Sequence, residues 1–141
     1  MKRTLLILLF IILSSTLIAC QQAEDQQVKD NDVVFSNDGE ISNLDKLEEF
    51  IKNIEDGDED KVRIVRYTIE GDPIFNTLDY NGENIKYTYD DSQDEYAGSN
   101  KGEKSTTCAN LESRKTKDGV EYHLSDCSSD FGNYFDFQVP E

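Results

Sequence analysis

An α+β fold is what the sequence predicts: one amphipathic helix packed on an antiparallel meander sheet of about five or six strands, with one hairpin disulfide. Three observations lead there. Apolar residues recur at three- and four-residue steps once, over 44–54, and after that at every second position. Turn-forming residues punctuate the second region at Gly71-Asp72-Pro73, Asn81-Gly82 and Asp118-Gly119. Cys108 and Cys127 lie symmetrically about the last of these turns.

Lys2 and Arg3 precede the apolar run Leu5 to Leu13, and the softer Ser14, Ser15 and Thr16 follow it. This is the n-, h- and c-region order of a secretory signal. The apolar stretch to Ala19 would make a helix of roughly 22 Å, against a bilayer core of about 30 Å, so removal suits it better than spanning. Leu17-Ile18-Ala19-Cys20 resembles the lipobox of bacterial lipoproteins, in which the cysteine is diacylglycerated and becomes the new N-terminus. Residues 1–19 are therefore expected to be a lipoprotein signal peptide and Cys20 the lipidated anchor, since two acyl chains suffice for stable attachment. Gln21 to Asp32, "QQAEDQQVKDND", has little to bury, and 20–32 reads as the lipidated cysteine and a polar tether.

Residues 33–141 are expected to form a single domain. Val33, Val34 and Phe35, closed by Asn37-Asp38-Gly39, suggest a short first strand. Ser42 offers an N-cap, and Asp45 suits the first turn of a helix whose apolar face is Leu44, Leu47, Phe50, Ile51 and Ile54. Lys46, Glu48, Glu49 and Lys52 face outward, and Asp56-Gly57 supplies the stop. "KVRIVRYTIE", Lys61 to Glu70, is rich in β-branched and aromatic residues and reads as a strand ending before Pro73.

A hairpin about Asn81-Gly82 follows. A two-residue turn there pairs Tyr80 with Glu83, Leu78 with Ile85, Asn76 with Tyr87 and Ile74 with Tyr89, with Thr77 opposite Lys86 on the other face. Asp90 to Lys104 has no periodicity and is read as a polar loop. Thr116-Lys117-Asp118-Gly119 then suits a type I turn with a glycine bulge, which pairs Lys115 with Val120. The same register opposes Arg114 to Glu121, Glu112 to His123, Leu111 to Leu124 and Cys108 to Cys127. A Cys108–Cys127 disulfide is expected, worth roughly 3 kcal/mol for a closed loop of about 20 residues. Strict alternation places it on the face of Asn110, Glu112, Arg114, Glu121, His123 and Ser125, turned outward. "FGNYFDFQVP" gives a last strand in which Phe135, Phe137 and Val139 alternate with Asp136 and Gln138.

At "KVRIVRYTIEGDPI", "YNGENIKYTYD", "STTC" and "DGVEYHLSDC" the chain resembles the family catalogued as domain of unknown function 4362, small lipoproteins found mostly in Bacillus and relatives. The resemblance runs from about Asp32 to Cys127, and "RYTIEGDP" is its most specific block. It implies a cell-surface lipoprotein and carries no catalytic residues with it. The tail from Ser128 to Glu141 lies outside it.

Charge and missing motifs narrow the function. The formal net charge of −16 becomes −18 once residues 1–19 are removed. Such a head repels nucleic acid, whose binding depends on Lys and Arg displacing counterions, and does not lie flat on an anionic membrane. The one histidine, His123, sits opposite Glu112 on a solvent-facing strand. No G-x-S-x-G, H-E-x-x-H, phosphate-loop or dinucleotide pattern occurs, so no catalytic residue, cofactor or metal ligand set is expected. Asp56, Asp58 and Asp60 open like a calcium loop, but Lys61 and Tyr67 stand where glycine and glutamate are required. Tyr67, Tyr87, Tyr89 and Tyr122 are packing residues or line a face for a peptide or carbohydrate. The expected function is a non-enzymatic binding or interaction module on the extracytoplasmic side of the cell membrane, held by Cys20, with a protein, peptide or glycan as ligand. The alternatives are a small envelope hydrolase using carboxylates and a structural or stress protein without a specific ligand.

Overall fold

The computed structural model describes residues 27–140. The expected signal peptide, residues 1–19, and the expected lipidation site Cys20 lie outside the described residues. Eight strands form one sheet: β1 (Val33–Phe35), β2 (Ile41–Ser42), β3 (Asp60–Tyr67), β4 (Pro73–Tyr80), β5 (Ile85–Asp90), β6 (Glu103–Thr116), β7 (Gly119–Cys127) and β8 (Asp136–Val139). Their spatial order is β2-β1-β3-β4-β5-β6-β7-β8. Among the described residues one α-helix, α1 (Leu44–Asp56), joins β2 to β3, and a 3₁₀ helix (Asp130–Tyr134) joins β7 to β8.

This corrects the expected five- or six-stranded antiparallel meander. The sheet has eight strands, curls into a half-barrel, and is the dominant element of the molecule. It also contains one parallel pair, with Val33, Val34 and Phe35 of β1 beside Ile64, Val65 and Arg66 of β3. Parallel neighbours need a crossover connection, and α1 is that connection. β2 is only two residues long and pairs antiparallel with β1, too short to show any period.

Helix α1 buries Leu47 and Phe50 against the inner face of the curled sheet, where Val33, Val62, Ile64 and Leu78 meet them. Leu44, Ile51 and Ile54 pack at the margin of the same cluster. Its start is not the expected one. Ser42 belongs to β2, and Asn43, with φ 56°, occupies the cap position. The Asn43 side chain turns away from the helix, its Nδ2 donating to the carbonyls of Asp30 (2.9 Å) and Asp32 (2.7 Å). The far end follows the sequence. Gly57, φ 77°, donates to Ile54 O and Asp58 to Asn53 O, the paired bonds of a Schellman stop.

Strand β3 ends at Tyr67 rather than Glu70, because Thr68 turns the chain by bonding Asp72 and Gly71. The β4–β5 hairpin is offset by two residues from the expected register: Tyr80 faces Ile85, Leu78 faces Tyr87 and Asn76 faces Tyr89. The turn has four residues instead of two. The Asn81 Oδ1 accepts the amides of Glu83 (3.0 Å) and Asn84 (2.8 Å), which holds the wider turn closed. An offset of two leaves every side chain on its expected face.

In the β6–β7 hairpin the pairs Lys115–Val120, Arg114–Glu121, Glu112–His123, Leu111–Leu124 and Cys108–Cys127 all form in the expected register. Cys108 and Cys127 are disulfide-bonded. The bridge does not look outward, however: Cys108 is 1% exposed and belongs to the core. Between the Leu111–Leu124 and Cys108–Cys127 pairs the inward face moves by one residue, so that both pairs point inside. Asp126, at φ 52°, lies at this switch, and strict alternation fails there.

The curl carries β8 round to the first strands. The Arg66 guanidinium of β3 donates to the carbonyl of Asp136 and sits 3.6 Å over the Phe137 ring. Phe35 of β1 meets Phe137 edge-on, with centroids 5.3 Å apart. Side chains thus bridge the open side that backbone pairing leaves. On the outer face, Asp32 accepts from Arg63 Nε (3.0 Å) and Nη2 (2.6 Å), and the guanidinium stacks on Phe75. Asp32, assigned by composition to the tether, has a side chain only 4% exposed. The fold therefore takes in residues ahead of Val33.

Candidate ligand cleft

The end of the sheet formed by the β3–β4 turn, the β5–β6 loop and the 3₁₀ helix carries a cleft. Its walls are Tyr89, Asp91, Asn100, Lys104, Phe131 and Tyr134, and its volume is about 430 Å³, within the range of small-ligand sites.

Each wall has a local cause. Tyr89 follows Tyr87 by two positions on β5, so both rings face inward; Tyr87 is fully buried and donates to Asn76 Oδ1 at 2.8 Å. Phe131 stacks on Tyr87 (5.6 Å) and meets Tyr89 (5.9 Å) and Tyr134 (5.2 Å). The 3₁₀ helix is seated from beneath. Thr106 bonds the hydroxyls of Ser128 and Ser129, each at 3.0 Å, and Gly132 rests on the disulfide. Only a residue without a Cβ fits there, because that atom would lie 2.2 Å from Cys127 Sγ.

The β5–β6 loop is held by its own side chains. Asp91 Oδ1 accepts the Gly102 amide (2.6 Å), Asp90 the Ser92 amide (2.9 Å) and Asp94 the Tyr96 amide (2.9 Å). The Glu95 amide donates to Asp72 (2.9 Å), which ties the loop to the β3–β4 turn. Burial raises the Tyr89 phenol above its ordinary range, and the carboxylates of Asp91 and Asp94 and the Tyr134 phenol push it the same way. The cleft is therefore an aromatic site with one carboxylate, Asp91, and one ammonium, Lys104, in its wall.

Of the four tyrosines singled out by sequence, only Tyr89 lines the cleft. Tyr87 supports it from below. Tyr122 pairs across from Phe137 on β7, and Tyr67 closes β3 opposite Pro73. Phe131, Tyr134, Asp91, Asn100 and Lys104 were not legible as site residues, because they stand in the aperiodic loop and in a tail read as plain strand. The exposed aromatic Tyr134, out of step with the alternation that follows it, was the one available signal.

Elsewhere the sequence candidates are structural. His123 Nε2 lies 3.3 Å from Glu112, both side chains half exposed. Ser125 donates its hydroxyl to the same Glu112 carboxylate, which this bond, and then His123, hold below its usual range. The hydroxyl bonds the carboxylate rather than the imidazole, so His123 is not placed to activate it. Asp60 of the acidic turn accepts from Asn53 (2.8 Å), and Asp56 pairs with Lys52. Among the described residues no three His, Cys, Asp or Glu side chains are grouped to hold a metal ion. A second concavity of about 490 Å³ lies on the outer face. Within it Asp32 pairs with Arg63 and Lys46 with Glu49 (3.0 Å), and Asp90 and Glu103 also line it.

The fold is thus a curled, mostly antiparallel sheet around one helix, with an aromatic cleft at one end. Residues 30–123 match the family described as a domain of unknown function (DUF4362), and the chain belongs to that family. The match begins two residues before the span read from the sequence blocks, at 30 rather than 32, and ends at 123, before Cys127, Phe131 and Tyr134. No curated protein and no solved structure matches the chain. No helix among the described residues is long and apolar enough to cross a membrane.

Proposed function

We propose that this protein is a lipid-anchored, extracytoplasmic binding module without enzymatic activity, and that its ligand enters the Tyr89–Phe131–Tyr134 cleft. The observation that carries this is Tyr134. Its ring is 69% exposed at the rim of a concavity whose other rings are packed, and polar Asp91, Asn100 and Lys104 stand around it. Rigid aromatic surface beside a few polar groups is the usual make-up of recognition sites. A hydrolase using two carboxylates would need them to converge; the cleft holds one, Asp91, and its Oδ1 is engaged by the Gly102 amide.

The anchor rests on Leu17-Ile18-Ala19-Cys20. Cys20→Ala should move the protein from the membrane fraction to the medium, and retention in the membrane would overturn that part. For the cleft, saturation-transfer NMR on the full-length protein in zwitterionic nanodiscs would probe an N-acetylglucosamine oligomer, a neutral tetrapeptide and a basic peptide. Saturable transfer from at least one, lost in Tyr134→Ser, is expected. No transfer from any of them, or equal transfer in the variant, rejects the cleft.

A further inference from the structure

We infer that the partner is a cationic peptide segment bearing apolar side chains, seated across the cleft end of the sheet; this deepens the binding-module reading and rests on it. The first ground is where apolar surface is exposed. Among the described residues the exposed large hydrophobic side chains are Val28, Ile69, Tyr96 and Tyr134. Three of the four belong to this end: Ile69, 97% exposed, on the β3–β4 turn, Tyr96, 73% exposed, on the β5–β6 loop, and Tyr134 on the 3₁₀ helix. The antiparallel order puts that turn and loop at one end of the sheet, and the Glu95–Asp72 bond joins them. Phe131 and Tyr134 bring the helix to the same place through Tyr89.

The second ground is charge. Residues 68–72, 90–104 and 130–134 hold eight carboxylates, of which Asp90 and Glu103 line the outer-face concavity, and two lysines. Among the described residues none of those eight carboxylates is in an ion pair. The pairs that do form lie along α1, at the far end of the β3–β4 ladder, on the outer face and in the β6–β7 hairpin. Leaving out Asp90 and Glu103, six carboxylates against two lysines give the segments that carry the exposed apolar groups a net negative charge.

Such a surface steers cations toward itself and holds them by face contact with Tyr89 and Tyr134. Apolar side chains of the same segment would cover the cleft and Ile69, while Asn100 and the loop backbone meet its amides. A neutral glycan would stack on the rings and donate hydroxyls to a carboxylate, but would gain nothing from the net negative charge. An anionic polymer would be repelled.

The test is fluorescence anisotropy of labelled peptides with the full-length protein in zwitterionic nanodiscs, referenced to empty nanodiscs. The probes are a short peptide alternating Lys with Phe, one alternating Lys with Gly, and one alternating Glu with Phe. The Lys–Phe peptide should bind saturably, about tenfold more tightly than either other peptide, and Tyr134→Ser or the pair Asp94→Asn/Glu95→Gln should each weaken it about tenfold. Equal binding of the Lys–Gly peptide would reduce the effect to bulk charge and overturn the proposal, as would indifference to both variants. Binding of the N-acetylglucosamine oligomer at Tyr134 without binding of the Lys–Phe peptide overturns this proposal and leaves the binding module standing. If no probe of any class binds, both fall.

Discussion

Gly132→Ala should destabilise this protein, although general rules for the substitution point the other way. Gly132 does not have a positive φ, so alanine fits its backbone, and the loss of unfolded-state freedom alone would stabilise by about 0.4–1 kcal/mol. The obstacle is steric. The new Cβ would stand 2.2 Å from Cys127 Sγ, 2.8 Å from Cys127 Cβ and 3.1 Å from Cys108 Sγ. Relief requires the methyl and the bridge to separate by roughly 1 Å, and a disulfide held by two paired strands yields little. Overpacking of this kind costs about 1–3 kcal/mol, which outweighs the entropic gain and leaves a net loss of about 1–2 kcal/mol. For a domain of this size that is a fall in Tm of about 4–10 °C, read by circular dichroism on the oxidised protein. In a Cys108→Ala/Cys127→Ala background the two sulfur contacts are gone and only the 2.8 Å contact with the Cβ of residue 127 remains, so the same glycine substitution should cost clearly less. The cycle should show a coupling of about 1–2 kcal/mol. An unchanged or higher Tm in the oxidised protein, or an equal loss in both backgrounds, would refute the seating of the 3₁₀ helix on the bridge. Because Phe131 and Tyr134 flank Gly132 on that helix, the substitution should also weaken any ligand of the cleft.

Two further outcomes follow from buried polar groups. Asp32→Ala leaves the Arg63 guanidinium, whose side chain is 14% exposed, without its bidentate partner. A loss of about 3 kcal/mol is expected in urea unfolding, at the low end for a broken buried pair because Arg63 keeps its stacking on Phe75; a loss under about 1 kcal/mol would show the outer-face contact to be incidental. Alkaline pH should unfold the protein through its tyrosines. Burial raises the phenols of Tyr87, Tyr89 and Tyr122 above their ordinary value near 10, so the unfolded state releases protons first. Stability should hold below about pH 10 and fall above it, by up to about 1.4 kcal/mol per pH unit for each phenol kept neutral in the fold. Tyr87→Phe should flatten this limb while costing about 1 kcal/mol at neutral pH, because Asn76 Oδ1 loses its donor; an unaltered alkaline slope would contradict it.

The β6–β7 hairpin shows how much of the fold was legible. Its turn residues fix a register over a few positions, and five pairings and the disulfide follow by counting. The β4–β5 hairpin shows the limit. Asn81-Gly82 marked a turn correctly, but whether the turn holds two residues or four depended on the Asn81 side chain capturing two amides. The capping of α1 failed for a related reason: Ser42 has the right chemistry, yet pairing with Val34 claimed its backbone for the sheet.

What the sequence by itself determined was local: helix α1 with its glycine stop, the inward alternation of most strands, the disulfide partners, and a signal-and-cysteine pattern that sets the expected location. What only the tertiary structure decided was how distant segments meet. The parallel seat of β1 on β3, the closure of β8 by Arg66, the burial of Cys108 and the tie of Asp32 to Arg63 each join residues through packing that no periodicity encodes. The cleft belongs to this second group. Tyr89 and Tyr134 are 45 positions apart in the chain, and they share a wall because the sheet curls, Gly132 fits against the bridge, and packing Phe131 against Tyr87 and Tyr89 offsets the entropy of ordering an aperiodic tail.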